Sequence, residues 1–285
     1  MLRMRIAVKI GLLLFVSLGL RPASGAQSAG LPWHSETIAK GLVWKNVLAD
    51  SLYGHPQHLN LLEVDMRRFR AELVFRTDSL IRTSRQAAEA GAVAAVNAGF
   101  FDTKVGGSVT FMKVGGQVIN VSRPKHIQEQ SEILRGAWLS DRKGRARIEA
   151  AAPDSVYLSK KYYTVLLTGP LLIQNGERVV LADRPFNANR HPRTCACTTS
   201  SNTMLLLTVD GRSAESHGMS LPELTDLLLE LGCRNAVNLD GGGSTTMWLA
   251  GRPFNGVVNM PSDNKRFDHE GERPVANAVV IRRRR

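Results

Sequence analysis

The chain has 285 residues, 43% of them hydrophobic and 22% charged, which excludes collagen-like, coiled-coil and wholly disordered classes and leaves material for one large core or two small ones. Aromatic residues make up only 6% while glycine numbers 25, so many turns are expected. The formal charge of +12 raises the question of a nucleic-acid or membrane partner.

The N-terminus alters that charge. Met1–Ile10 carries Arg3, Arg5 and Lys9 without an acid, Gly11–Leu20 is apolar, and small residues follow to Ala26. This is the layout of a secretory signal peptide over residues 1–26, so a secreted or periplasmic location is expected. An apolar run this short falls below the about 20 residues that span a bilayer core, so no stable membrane span is expected after cleavage. Removing the segment takes away four basic side chains and leaves +8; a basic tail, residues 282–285, holds four more. No zinc-finger spacing, RNP-like strand or basic heptad region is present, and no nucleic-acid partner is expected.

Residues 27–57 read as a linker and first elements, ahead of a main domain over 58–281. Leu62, Val64 and Met66 alternate with Glu63 and Asp65, the pattern of a half-buried strand. A helix starts at Thr83 or Ser84 and stops at Gly91, and Ala92–Val96 is an apolar strand. Val109–Val114 and Gln117–Val121 flank Gly115-Gly116 as a hairpin, Gly144 separates two further strands, and Asn175-Gly176 follows Leu171–Ile173. A second helix has a capping box of Ser220 and Glu223, an apolar face from Leu221 to Leu231, and Gly232 as its stop. Val275–Ile281 is the last strand. No Gly/Ser- or Pro-rich linker divides the mature region. The expected fold class is α+β (α/β mixed), a single domain with mixed, largely antiparallel sheets and a few helices.

Both helices lead into strands that end in polar, glycine-rich sequence, where ligands of α/β sheets collect. The run ending Asn238-Leu239-Asp240-Gly241-Gly242-Gly243-Ser244 offers one carboxylate, three exposed backbone N–H groups for an anion, and a hydroxyl. The P-loop and Rossmann spacings are absent. Arg193 and Thr194, and after the next strand Asp210-Gly211-Arg212, add planar guanidinium forks suited to phosphate. Asn97, Gly99 and Asp102 around Phe100-Phe101 would suit a sugar-binding wall, though the two Phe are equally natural core, and Arg273 precedes the last strand. None of the seven His is assigned to catalysis.

Cys195 and Cys197, two apart on a strand, point the same way and are poorly placed to bond each other. One of them can bond Cys233 if the fold brings them together; buried thiols are the favoured reading. No metal site is assigned and no cofactor is required. A Ca²⁺ ion beside Asp240 would need six or more oxygens, which the sequence does not allow to be counted.

Taken in order, Asn97–Asp102, Thr168-Gly169-Pro170 with Asn175-Gly176, His191–Thr194, Asp210–Arg212, Ser216-His217-Gly218, Asn238–Ser244, Asn259–Ser262 and Glu272-Arg273 resemble the phosphodiester glycosidase family over roughly residues 60–281. One departure is that Cys195 and Cys197 stand where the family usually has a small residue and a glycine. The resemblance implies hydrolysis of a glycosyl-1-phosphodiester at the sugar, as in an anionic envelope glycan. Asp240 is then the first choice for the catalytic carboxylate and Asp210 the second, with Arg193, Arg212, Arg273 and the glycine run on phosphate. The alternatives are a non-catalytic envelope protein that binds anionic glycans and a phosphodiesterase that cuts the P–O bond.

Overall fold

The computed structural model describes residues 30–122 and 134–284. The signal-peptide reading of residues 1–26 lies outside the described residues. Every strand pairing among the described residues is antiparallel, so the expected parallel component is not seen and sheets dominate over helices. No described helix is long and apolar enough to cross a membrane.

The largest sheet has eight strands, in the order His34–Ala39, Leu42–Leu52, His55–Asp65, Thr203–Val209, Arg193–Thr199, Cys233–Asn238, Leu171–Gln174 and Glu177–Arg178. Its first two strands come from residues 27–57, read as a linker and first elements, and the first of them begins at His34. Both faces of its central strands are covered. Leu62, Val64, Ala196, Met204 and Leu206 face one core, while Leu59, Leu61, Cys195, Cys197, Leu205 and Leu207 face another. The alternation of Leu62–Met66 holds at the end of this strand, where Leu62, Val64 and Met66 are buried and Glu63 and Asp65 partly exposed, while its middle is buried on both sides.

The first core is closed by two smaller sheets. One has four strands, Met247–Leu249, Ala94–Asn97, Asn277–Arg283 and Phe69–Phe75; the other has five, including Gly136–Ser140, Ala146–Ala150 and Thr164–Thr168. They contribute Phe69, Val96, Val279 and Ile281, and Met112, Trp138 and Leu166, to one continuous cluster. The second core is closed by the helix Leu221–Glu230, whose leucines at 221, 224, 227 and 228 are buried. Its capping box forms as the sequence predicts, with Ser220 Oγ accepting from Glu223 N–H and the Glu223 carboxylate from Ser220 N–H.

The helix Thr83–Glu89 lacks a local side-chain cap. Its cap comes from Glu272, whose carboxylate accepts from Ser84 N–H at 2.7 Å and Ser84 Oγ at 2.6 Å. Burial pushes the Glu272 carboxyl up, and these two bonds oppose that shift. The expected basic tail is part of the structure through Arg284. Arg282 and Arg283 extend the last strand to pair with Arg70 and Phe69, and Arg284 N–H donates to Arg68 O.

The buried-thiol reading holds for Cys195 alone; Cys197 and Cys233 form a disulfide, with Cα atoms 5.8 Å apart on neighbouring strands. The register explains the choice, because Thr199 rather than Cys197 sits directly opposite Cys233 across an irregularity, and Cys195 lies farther along at Asn238. The bond closes a span of 36 residues. Replacing Cys197 and Cys233 together with alanine is expected to lower unfolding free energy by about 2–4 kcal/mol in urea melts.

Candidate active site

Asp240 stands at the end of the strand Cys233–Asn238, one residue past Leu239, and two bonds fix its main chain. Its N–H donates to Ala98 O at 2.8 Å, and its carbonyl accepts from Asn97 Nδ2 at 2.6 Å. The Asn97 Oδ1 in turn accepts from Thr194 Oγ1 at 2.8 Å and Thr246 N–H at 3.1 Å. Asn97 and Thr194 are buried at 1% and 0% exposure, and their bonds hold the main chain that carries Asp240.

The Asp240 side chain enters a pocket of about 260 Å³ lined by Phe186, His191, Arg193, Arg212, Asp240, Gly241–Gly243 and Arg273. The structure thus gathers Asp240, the three glycines and all three expected arginines. Six other predicted residues do not line it. Gly99 is required by packing, since a Cβ there would lie 2.7 Å from Leu166 Cδ1. Asp102 caps its own turn by accepting from Lys104 and Val105 N–H. Asn97 and Thr194 are the main-chain clamps just described, and Ser244 is buried behind the glycine turn.

Asp210, the second choice for catalysis, is the sixth. It is 1% exposed, and both its oxygens are taken: Oδ1 by Asn259 Nδ2 at 2.7 Å, Oδ2 by His58 Nδ1 at 2.6 Å and Met260 N–H at 2.9 Å. It is a hub that fixes the chain two residues before Arg212. Asn259 extends the hub to the glycine turn, with Nδ2 donating to Thr245 O and Oδ1 accepting from Met247 N–H.

Desolvation dominates the Asp240 carboxyl and pushes its pKa up to about 6, opposed by the Ser244 hydroxyl, the Arg273 charge and Gly241 N–H. Gly242 N–H donates to Pro192 O at 2.8 Å. With Gly241 turned to the carboxylate, at most one of the three glycine N–H groups remains for an anion. The expected backbone nest is therefore mostly consumed. The glycines serve geometry instead: Gly242 has φ +59°, and a Cβ on Gly243 would meet Arg273 Nη2 at 2.5 Å and Asp263 Oδ1 at 2.6 Å.

The three guanidiniums that line the pocket differ in their surroundings. Arg193 is buried, with Nε on Met219 O and Nη2 on Phe186 O and Asn189 O, and it lies over the Phe186 ring at 5.3 Å. Burial and the neighbouring Arg212 lower its pKa to about 10, so it stays charged, and Nη1 has no protein partner among the described residues. Arg212 is exposed and has no ion pair among the described residues. Its φ of +68° is a left-handed conformation that costs a non-glycine residue about 1–3 kcal/mol. Arg273 is ion-paired to Asp263 through Nε at 2.8 Å and through Nη2. Among the described residues, Arg273 is thus ion-paired, while Arg193, with the Glu223 charge nearby, and Arg212 are not.

Sequence reasoning passed over His191 and Phe186. Burial, Arg193 and Arg212 all depress the His191 pKa, which leaves a neutral imidazole in the pocket at neutral pH. Its signal was adjacency to Pro192-Arg193; Phe186 had none, because its place depends on the turn Pro185–Ala188 folding under Arg193. Among the described residues, no three His, Cys, Asp or Glu side chains converge as metal ligands.

The chain is similar to known proteins in sequence and in fold. An uncharacterized SPbeta prophage-derived protein of Bacillus subtilis is 40% identical over 68 residues, 24% of this chain and 11% of its own length. The N-acetylglucosamine-1-phosphodiester alpha-N-acetylglucosaminidase of Bos taurus is 28% identical over 189 residues, 61% of this chain. That match spans only 33% of the bovine protein. The solved structure of the catalytic domain of the zebrafish protein of that name shares the fold with a TM-score of 0.65 at 19% identity, over 90% of this chain and 86% of that one. A family model described as phosphodiester glycosidase matches residues 90–282, which include every pocket-lining residue. The chain belongs to the phosphodiester glycosidase family.

Proposed function

We propose that this protein is an exported hydrolase that cleaves a glycosyl-1-phosphodiester at the sugar, releasing free sugar and a phosphate monoester. The observation that carries this reading is the make-up of the pocket: one carboxylate among nine lining residues, beside two guanidiniums that form no ion pair among the described residues. Most glycoside hydrolases need a second carboxylic acid to protonate the leaving oxygen. A phosphate monoester, whose second pKa is about 6, departs without one. Charge on the departing phosphate is met instead by Arg193 Nη1 and Arg212, with Arg273 and the neutral His191 at the pocket wall.

In this reading the Asp240 carboxylate either takes a proton from water or attacks the anomeric carbon itself. The new bond forms to that carbon, and the bond to the phosphate oxygen breaks with its electron pair leaving on phosphate. Where Asp240 is the nucleophile, water then attacks the same carbon and the bond to Asp240 breaks with its electron pair returning to the carboxylate; in either case the proton from water resides on Asp240 or passes to solvent. A pKa near 6 suits this, since the group is ionised at neutral pH yet more basic than an ordinary aspartate. Export is supported by the Cys197–Cys233 disulfide, which persists in oxidising compartments, and by the signal-like sequence of residues 1–26.

Hydrolysis in ¹⁸O-labelled water tests the bond cleaved. Label in the sugar supports this reading, label in the phosphate indicates P–O cleavage, and saturable binding without product indicates a glycan-binding protein. Asp240→Asn is expected to lower kcat by about 10²–10⁴-fold with the fold intact by circular dichroism. In the parent protein, kcat/KM should rise with pH through about 6 as Asp240 ionises, and this limb should vanish in the variant. Because folding raises this pKa, the ionised carboxylate costs stability above about pH 6, and the cost fades as pH falls toward 4. Asp240→Asn should therefore be about 1–2 kcal/mol more stable than the parent at pH 7 and equal to it near pH 4 in urea melts. Arg212→Gly should keep or raise stability, because it relieves the left-handed backbone, while lowering kcat/KM for the diester by about tenfold or more.

A further inference from the structure

The surplus positive charge is concentrated at the end of the molecule remote from the pocket. Lys40 lies in the turn joining His34–Ala39 to Leu42–Leu52, and Arg67 and Arg68 follow Asp65 at the end of the next strand. Gly41 O accepts from Asp65 N–H, and a Cβ on Gly41 would touch the Arg68 side chain at 2.7 Å, so these two turns adjoin. Arg142, Lys143 and Arg145 occupy the turn between Gly136–Ser140 and Ala146–Ala150. Arg284 Nη1 donates to Lys143 O at 2.6 Å and Nε to Met66 O at 2.9 Å, which ties that turn to the end of the last strand at Arg283. These four segments carry eight cationic side chains against the carboxylates of Asp65 and Asp141. Across all described residues, 30 Lys and Arg stand against 23 Asp and Glu. Six of the seven surplus charges thus sit at this end, and the rest of the described surface is close to neutral.

Three sheets place this end opposite the pocket. Arg193 begins one strand of the large sheet, and its partner strand runs from Val209 to Thr203, which pairs with Asp65. Asn277, bonded to Gly99 beside Asn97, begins the strand that ends at Arg283. Gly136 lies against Val237, while the other end of its strand reaches the Asp141–Arg145 turn. Seven-residue strands in the first two sheets put about 20 Å between the poles. Two shallow depressions at this end are lined by Asp65, Arg67 and Arg68, and by Lys40, Phe69, Arg283 and Arg284 with the same two arginines.

We propose that this pole is a docking face for an anionic lipid surface, which holds the molecule with its pocket turned away from that surface. A polymer being threaded for cleavage would need cations in a track that leads into the pocket. Here they form a broad cap made of four turns, on the far side of the fold. None of the large exposed apolar side chains lies in these segments, so the contact is electrostatic and shallow. The proposal is independent of the hydrolase reading, because it uses none of the pocket residues.

Cosedimentation with phosphatidylcholine vesicles, with and without phosphatidylglycerol, tests it. Binding is expected only to the anionic vesicles and should be lost at high salt. The pair Lys40→Glu and Lys143→Glu should weaken it by more than about tenfold. The pair Arg85→Glu and Lys104→Glu, which removes the same charge from exposed sites elsewhere, should leave most of it. Circular dichroism and turnover of a small soluble diester report that the variants fold. Failure of the parent to bind anionic vesicles would overturn the proposal, as would equal losses in the two pairs. Competition by soluble polyphosphate as strong as that by lipid, abolished by the same Lys40 and Lys143 pair, would replace the lipid with a free polyanion and equally overturn it.

Discussion

The side-chain amide of Asn97 is the point on which the site depends. It belongs to the four-stranded sheet, yet three of its hydrogen bonds reach elsewhere: to the Asp240 carbonyl, the Thr194 hydroxyl and Thr246 N–H. Thr194 lies in an inner strand of the large sheet, Asp240 follows the end of the neighbouring strand, and Thr246 opens the return to the small sheet. A single buried amide therefore stitches two sheets together where their strands end. A buried amide left without such partners would cost about 1–3 kcal/mol for each lost group, so the joint holds its geometry firmly. The Asp240 carboxylate, carried on that main chain, inherits this rigidity.

Around this joint, polar groups divide into those consumed by structure and those left over. Asp210 uses both oxygens on His58, Asn259 and Met260, and most of the glycine N–H groups are also engaged. The groups left over are the Asp240 carboxylate, the Nη1 end of Arg193 and the whole of Arg212. Burial destabilises the carboxylate's charge, the left-handed backbone strains Arg212, and two guanidiniums repel each other beside an imidazole. Such local costs are tolerated where a ligand's charge offsets them. A bound phosphate would compensate the cations.

Much of this was legible in the sequence, for identifiable reasons. The capping box at Ser220, the Gly115-Gly116 hairpin and the carboxylate-glycine run each depend on residues close together in the chain, and their patterns carry through to the structure. What could not be read was set by partners far away in sequence. Asn97, Thr194 and Asp210 look like ligand-binding residues because polar side chains at strand ends usually are; only the packing shows that their bonds are already made. The cap of the first helix comes from Glu272, 188 residues beyond Ser84, which no local pattern could suggest. The pairing of Cys197 and not Cys195 follows from strand register.

The Glu272 cap also bears on how the molecule assembles. It joins an early helix to a segment near the C-terminus, and Asn277 Oδ1 accepts from Gly99 N–H across 178 residues just beyond it. Arg273 lies between these two ties. The pocket is thus closed by some of the last residues of the chain, which must insert between elements formed from its first third. Contacts of such long sequence separation carry a high loop-closure cost and form slowly. While the chain is incomplete, Asp240 has no Arg273 beside it and the first helix has no cap. A finished site therefore appears only once the whole domain has closed, which makes its emergence a late and cooperative event in folding.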